Sequence, residues 1–305
     1  MGDGSVDVLG SINMDVVFKC RSLPRVGETL ICDDAKTFPG GKGLNQAIAA
    51  ARAGASTRFY GAVGSDPYGA ELIGFLAREG VSVDGISTET GTPTGLAHIL
   101  VDAAGQNVIA VASGANKTVS VSNRGERIQP SKVAISQLEV PRPAVELFLQ
   151  SRRSQGSLTI LNAAPAHREA LGLFDLCDYV ILNEVELGQF ASLPSLPDSQ
   201  AELLELATTL AEKWRTSLVL TLGAKGVILA DRVEKRFLAA ERVTARDTTG
   251  AGDCFCGYFA ASLSRGRSPA VAVHSAIKAS AISVTRDGAA SSIPYLREVV
   301  ASIRA

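Results

Sequence analysis

The chain has few residues of the kinds that bind zinc or form crosslinks. Three histidines stand far apart, and the five cysteines (Cys20, Cys32, Cys177, Cys254, Cys256) form no C-x-x-C pair. That excludes a zinc knuckle or a thioredoxin-type motif. The odd cysteine count, with no framework of spacings, points to reduced thiols in a cytoplasmic setting. No run approaches the roughly 18 unbroken apolar residues of a membrane span. The opening "MGDGSVDVLG" has no basic stretch followed by a long apolar core, so no signal peptide and no membrane association are expected. Thirty Lys and Arg against 31 Asp and Glu leave a net charge of −1. No basic run with interleaved aromatics occurs, and nucleic-acid binding is not expected. Low-complexity linkers and internal repeats are also absent.

What is present is the profile of a soluble α/β enzyme: 46% hydrophobic residues, 20% charged and 29 glycines in 305 residues. "VDVLGSINMDVVF" reads as a buried strand near residues 6–10 followed by a second strand leaving the sheet. "GETLICDDAKTF" (27–38) reads as a partly exposed strand. "GGKGLNQAIAAARAGA" (40–55) is a glycine turn entering an Ala-rich helix, and "TRFYGAVGSD" is a strand. "PYGAELIGFLAREG" is a helix with Pro at its start and Gly80 at its stop. Residues 94–112 form two strands around "DAAGQN". From "SKVAISQLEV" onward strand and helix alternate, with "HREALGLFDLC" read as a helix. "TSLVLTLGAKGVILA" is two strands around a turn, and helices follow at about 250–265 and 268–284, with a short one at the C-terminus. This rhythm predicts one α/β domain over residues 1–305 around a mostly parallel, doubly wound sheet. A small β lid from about 12–36 and 94–112 is inserted within it. Ligands of such sheets bind beyond the C-terminal strand ends.

The motifs sit on strand-to-helix turns. In "DTTGAGDCFCGYFAASL" (247–263), Gly250, Ala251 and Gly252 let the backbone approach a ligand, and the helix N-terminus favours an anion. Asp253 follows at once. Beside a bound phosphoryl group a carboxylate costs repulsion unless it takes the proton of the acceptor hydroxyl; alternatively it is a first-turn residue placed for the helix dipole. "FPGGKGLNQA" fits neither G-x-x-x-x-G-K-[ST] nor G-x-G-x-x-G. It leaves a tight turn with Lys42 and Asn45 at a helix start, suited to polyol hydroxyls or simply a helix N-terminus. "NEVE" places Asn183 and Glu186 three apart, with dipole pairing as the plain alternative. The glycine turn "TLGAKG" (221–226) needs no ligand by itself.

"GSINMD", "PGGKGLNQA", "NEVE" and "DTTGAGDCFCG" in this order and spacing resemble the ribokinase-like (PfkB-type) sugar kinases over essentially the whole chain. The resemblance implies that family's three-layer α/β sandwich with a β lid. It implies ATP-dependent phosphorylation of a primary sugar hydroxyl, with the 5-OH of D-ribose as the expected acceptor. The same fold acting on 2-deoxyribose, fructose or a nucleoside, or serving as a non-catalytic sugar-binding module, stays open.

Carried to this sequence, the resemblance makes Asp253 the catalytic base and the Gly250–Gly252 backbone an anion hole. It assigns Asn13, Asp15, Gly41, Lys42, Asn45 and Glu139 to the sugar. Asn183, Thr221, Gly223, Gly226 and Gly252 fall to ATP, and Glu186 to Mg²⁺ or another divalent ion through water. Asp247, Thr249, Ser283, Arg286, Gly288 and Ser292 fall to an activating K⁺. A homodimer through the lid is expected. Ile277 and Lys278 stand where relatives often carry His or Asn near the adenine. Cys254 reads as small-residue packing or an oxidation-sensitive site, His98 as a strand residue with no catalytic role, and Met14 as facing away from Asn13.

Overall fold

The computed structural model describes residues 4–32, 34–104, 106–120, 130–231 and 233–301. Along the chain run β1 (Ser5–Leu9), β2 (Asn13–Lys19), β3 (Asp34–Gly40), helix α1 (Lys42–Arg52) and β4 (Ser56–Gly64). Next come α2 (Pro67–Arg78), β5 (Ser82–Glu89), β6 (Gly95–Val101), β7 (Asn107–Ala112), β8 (Val133–Ser136), α3 (Arg142–Ser154) and β9 (Leu158–Asn162). The remainder is β10 (Tyr179–Asn183), α4 (Glu184–Ala191), α5 (Gln200–Trp214), β11 (Ser217–Thr221), β12 (Gly226–Ala230), β13 (Lys235–Ala239), α6 (Ala251–Ser264), α7 (Pro269–Ser283) and α8 (Leu296–Ala301).

The large sheet has the order β13-β12-β11-β10-β9-β8-β1-β4-β5. From β11 to β5 every neighbouring pair is parallel, while β12 and β13 add antiparallel at one edge. The chain grows from β1 through β4 to β5 in one direction, then restarts at β8 on the other side of β1. The gap between β1 and β8 is therefore the switch point, where such sheets open a crevice beyond their strand ends. A second sheet, β3-β2-β6-β7, is built from the β2–β3 pair and the β6–β7 hairpin.

Alternation in the central strands sets three layers. Val6 and Val8 of β1, Val133 and Ile135 of β8, and Ile181 of β10 pack with α1, α2, α6 and α7 in one core. Leu9, Ala134, Val180 and Leu182 face α3, α4 and α5 in the other. Burial on both faces explains why these strands read as nearly continuous apolar runs. The exception is Asp7, 1% exposed, whose carboxylate receives Arg58 Nε of β4 at 2.7 Å and lies 2.7 Å from Arg152 Nε of α3.

Caps place the helix starts. Asp66 accepts from Gly69 N at 2.8 Å ahead of Pro67, and Ser199 Oγ accepts from Glu202 N at 3.2 Å.

Three details differ from the sequence reading. The strand expected over 27–38 occupies Asp34–Gly40 instead. A turn in which Glu28 N donates to Arg25 O, with Gly27 at φ 85°, interrupts the segment, and Val26 and Ile31 have no face to bury. Asp33 and Gly105, inside the expected lid segments, lie outside the described residues. Arg168–Leu176 is a 3₁₀ rather than an α-helix: Ala170 N and Cys177 N bond three residues back, which sets Ala170 and Leu173 on one face. The strands β5 and β13 carry no clear apolar pattern because each lies at a sheet edge.

Candidate functional site

The residues of interest collect at the C-terminal ends of the parallel strands, around the β1/β8 switch point. Ser11, just beyond β1, is fully buried and donates through Oγ to Glu139 Oε2 at 2.5 Å, beyond β8. Glu139 also accepts from Lys42 N at 3.3 Å, while Ser11 O accepts from Leu44 N at 3.0 Å. So the start of α1 is fastened to both strands of the crevice. Two glycines of "PGGKG" permit this. Gly41 has φ 93°, and a Cβ on Gly43 would lie 2.6 Å from the Gly10 carbonyl carbon.

The N-terminus of α6 enters the same space. Gly250 takes φ 71°, and a Cβ there would lie 2.9 Å from that of Ala289; at Gly252 nothing lies within 4 Å. The first glycine thus serves packing and the second leaves the helix end open, with no side chain capping it.

Asp253 is buried in the first turn. Asn45 Nδ2 donates to its Oδ2 at 3.0 Å and Gln46 Nε2 to its Oδ1 at 2.9 Å. Burial pushes the Asp253 carboxyl above its usual range; Lys42 and the two amides pull it down, and Glu139 pushes it up. Lys42, Asn183, Glu186, Thr221, Gly252 and Asp253 border a cavity of about 140 Å³. Burial alone would lower the Lys42 ammonium, but Asp253, Glu139 and Glu186 around it hold it raised and charged.

Across the crevice, Asn13 and Asp15 project from β2. Asn13 Oδ1 accepts from Asn116 Nδ2 at 2.8 Å, and Asn116 is itself anchored to Ile12 N and O at 2.9 and 3.0 Å. Glycines on the flanking strands make room: a Cβ on Gly95 would fall 2.3 Å from Asn13 Oδ1, and one on Gly40 would fall 2.1 Å from Asp15 Oδ2. Burial, reinforced by Glu139 and Asp253, raises Asp15 to about 7. Asn45 Oδ1 is buried with no hydrogen-bond partner among the described residues. Met14 turns into the core, as the alternation predicts.

On the β10/β11 side, Asn183 caps α4. Its Oδ1 accepts from Glu186 N at 2.9 Å, and Glu186 Oε2 accepts from Asn183 N at 2.8 Å. The "NEVE" pattern is therefore a capping box as well as a site motif, and Asn183 precedes the helix rather than sharing its first turn. Burial raises the Glu186 carboxyl, Asp253 adds to that, and Lys42 and the Asn183 N–H oppose it. Thr221 ends β11 beside this cavity. Gly223, at φ 55°, faces open space, whereas Gly226 is structural: it has φ 136°, and a Cβ would meet Leu238 O at 2.2 Å. Ile277 is buried, and Lys278 Nζ turns to Glu241 Oε1 at 4.0 Å.

Behind α6, Asp247 ties two loops together, accepting from Thr249 N at 2.9 Å and Gly288 N at 2.8 Å. Burial raises this carboxyl, but those bonds outweigh it and hold it low. Ser283 Oγ and Ser292 Oγ form a buried pair at 2.7 Å, and the Arg286 side chain leaves the loop to reach Glu298 Oε1 at 2.6 Å. Among the described residues, no three His, Cys, Asp or Glu side chains converge on a point where a metal ion could be held.

Cys254 is fully buried, its thiol pushed up to about 12 by burial, so the packing alternative holds and a reactive thiolate does not. His98 packs edge-on against Phe18 at 6.0 Å. Five residues that no motif reading singled out belong to the site: Ser11, Gln46, Asn116, Gln137 and Asn162. Ser11 bonds Glu139, Gln46 bonds Asp253, Asn116 bonds Asn13 and Gln137 bonds Gln46, while Asn162 shares with Asn183 a polar position closing an apolar strand. That is the one signal the sequence offers.

Residues 3–296 match the pfkB family of carbohydrate kinases. The chain is 37% identical to a ribokinase of Schizosaccharomyces pombe over 97% of its own length and 96% of that protein's. It is also 37% identical to a ribokinase of Haemophilus influenzae over 97% of both chains. It superposes on the ribokinase of Arabidopsis thaliana complexed with ribose and ATP with a TM-score of 0.91 and 27% identity, over 100% of both chains. Fold and crevice together define a phosphotransferase with an alcohol group as acceptor. The chain belongs to the pfkB family of carbohydrate kinases.

Proposed function

We propose that the protein transfers the γ-phosphoryl group of ATP to the 5-OH of D-ribose, with Asp253 as general base. The carrying observation is that Asp253 is buried beside the open N-terminus of α6 and is fastened by Asn45, whose other amide atom, Oδ1, has no partner. A sugar meets both needs with two hydroxyls, one donating to Asn45 Oδ1 and the acceptor hydroxyl donating its proton to the carboxylate. Asn13, Asp15, Gly41, Lys42 and Glu139 would surround the remaining hydroxyls. The likeness to relatives named ribokinase supports ribose over a nucleoside.

ATP would lie over Asn183, Thr221, Gly223 and Gly226, its terminal phosphate at Gly250, Ala251 and Gly252. The transition state of such transfers is loose, so positioning and charge stabilisation carry most of the rate. Lys42 supplies one charge and the helix end another. The oxygen donors fit a divalent ion carried on the triphosphate, with Glu186 holding it through water. Such an ion neutralises charge on the phosphates. The loop of Asp247, Thr249, Ser283, Arg286, Gly288 and Ser292 fits a monovalent cation held by carbonyls and the Asp247 carboxylate; only the Arg286 backbone is suited, since its side chain points to Glu298.

The chain would act as one domain whose small sheet closes over the sugar and excludes water. Its edge strand β7 is exposed throughout, with Val108, Ile109 and Val111 about half uncovered, which supports pairing with a second copy. No helix among the described residues is long and apolar enough to cross a membrane. A cytoplasmic setting is part of the proposal, supported by five cysteines with no disulfide.

ADP release tests this with D-ribose, 2-deoxyribose, fructose and adenosine as acceptors. A ribose-led rate is expected. A rate led by adenosine or fructose would displace the sugar assignment, and no turnover with any acceptor would favour a sugar-binding module.

A further inference from the structure

Behind the Asp253 carboxylate lies a chain of buried amides, of which Asn162 also borders the cavity. Gln46 Nε2 donates to Asp253 Oδ1 at 2.9 Å and to Asn162 Oδ1 at 3.1 Å, so both its hydrogens are committed. Gln46 Oε1 in turn accepts from Gln137 Nε2 at 2.8 Å. Gln46 and Gln137 are fully buried, and they join α1, the end of β8 and α6.

The arrangement has a direction. An ionised carboxylate only accepts, so the Gln46 atom facing it must be a donor. An amide can turn over by 180°, which would present Oε1 to Asp253 and set two acceptors against each other. Gln137 prevents this by directing its own N–H at Gln46 Oε1. The cost is visible, because Gln137 Oε1 is buried without a partner. Space for that orientation comes from Gly10, where a Cβ would fall 2.1 Å from Gln137 Oε1. An orphaned acceptor and an obligatory glycine are retained together, and both serve the orientation of one amide.

We infer that Gln46, locked by Gln137, is the positioning residue of the reaction: it sets the orientation of the Asp253 carboxylate and keeps it ionised as a proton acceptor. The inference rests on the reading of Asp253 as the base. Other groups also act on that carboxylate: Lys42 from α1, Glu139 beyond β8, Glu186 from α4, Asp15 from β2, and Cys254 and Cys256 from its own helix. Lys42 favours the ionised form and the acidic groups oppose it, so losing the Gln46 donor moves the balance toward the protonated acid.

The test is a titration of the aspartate side-chain carboxyl carbons by NMR in the folded full-length protein, with Asp253→Asn identifying the resonance. Wild type is compared with Gln137→Leu and Gln46→Leu, and the pH profile of kcat is recorded for each. The midpoint of Asp253 and the acid limb of kcat should rise together by about one pH unit, a roughly tenfold loss at a pH on that limb. KM for ATP should stay within about twofold, as for an interaction that acts in the transition state. Gln46→Glu, which sets an acceptor against Asp253, should raise the midpoint further.

Gln137→Leu leaves Gln46 in place and carries the test if Gln46→Leu fails to fold. An unmoved midpoint in a folded variant overturns the inference. So does a kcat reduced by one factor at every pH, which is the signature of a merely structural role. If wild type transfers no phosphoryl group to any sugar, the kinase reading fails, while the NMR midpoints still decide whether the amide chain governs Asp253.

Discussion

Asn45 Nδ2 and Asp253 Oδ2, 208 positions apart in the chain, lie 3.0 Å apart at the meeting of two helix N-termini. The contact joins the "PGGKG" turn to the "GAGD" turn. Asn45 leaves an acceptor for one sugar hydroxyl, and Asp253 an acceptor for the proton of another. Asp253→Asn should therefore leave the fold intact and lower kcat by at least about 10²–10⁴, the range of general-base assistance. Circular dichroism and steady-state rates check the two halves.

The two glycines flanking Ala251 should fail differently. Gly250→Ala forces a left-handed residue against Ala289 and should cost about 1–2 kcal/mol of stability, read from urea unfolding. Gly252→Ala meets nothing within 4 Å and should keep that stability. Its methyl intrudes where the phosphoryl group would pass, so kcat should fall instead. Equal stability losses would contradict the division of roles.

Asp15 gives a pH signature. Its carboxyl is raised to about 7 in the folded protein, mainly by burial and then by Glu139 and Asp253. From about pH 4 to 7 the unfolded chain has released this proton while the folded protein keeps it, so stability falls as pH rises through that window. Its contribution is complete below about pH 4 and gone above about 7. Asp15→Asn should flatten the decline, measured as melting temperature against pH. KM for the sugar should fall in wild type as pH rises past 7, since the ionised form accepts hydroxyl protons.

How much of this was legible in the sequence follows from how each feature is made. The parallel strands were readable because both of their faces are apolar, and α2 because Pro67 and Gly80 mark its start and stop. The edge strands β5 and β13 were not, since an edge needs no apolar pattern. Asp253 and Asn45 stood out as polar residues on glycine turns, and Glu186 through its spacing from Asn183 in "NEVE". Gln46 and Gln137 did not, because their role depends on contacts 91 residues apart that no local pattern encodes. The capping role of Asn183 could be read only once the helix start was known.

The buried Asp7 predicts a stability effect remote from the crevice. Asp7→Ala leaves Arg58 and Arg152 without their shared carboxylate and should cost about 3–5 kcal/mol. The rate per folded molecule should hold. A loss below about 1 kcal/mol, the scale of an exposed pair, would contradict the buried assignment.

If the Asp247 loop holds K⁺, replacing K⁺ by a bulky organic cation should lower kcat at least tenfold, one oxyanion-hole donor being worth about 10²–10³. Asp247→Ala should remove the difference between the two salts. A rate indifferent to the cation would leave Asp247 as a loop tie only.

Phosphorus NMR of the products formed from ATP and D-ribose tests the central claim most directly. A single primary phosphate ester at the 5 position, formed at least about a hundredfold more slowly by Asp253→Asn, is the predicted result. An ester at another carbon, or ADP with inorganic phosphate alone, would contradict it.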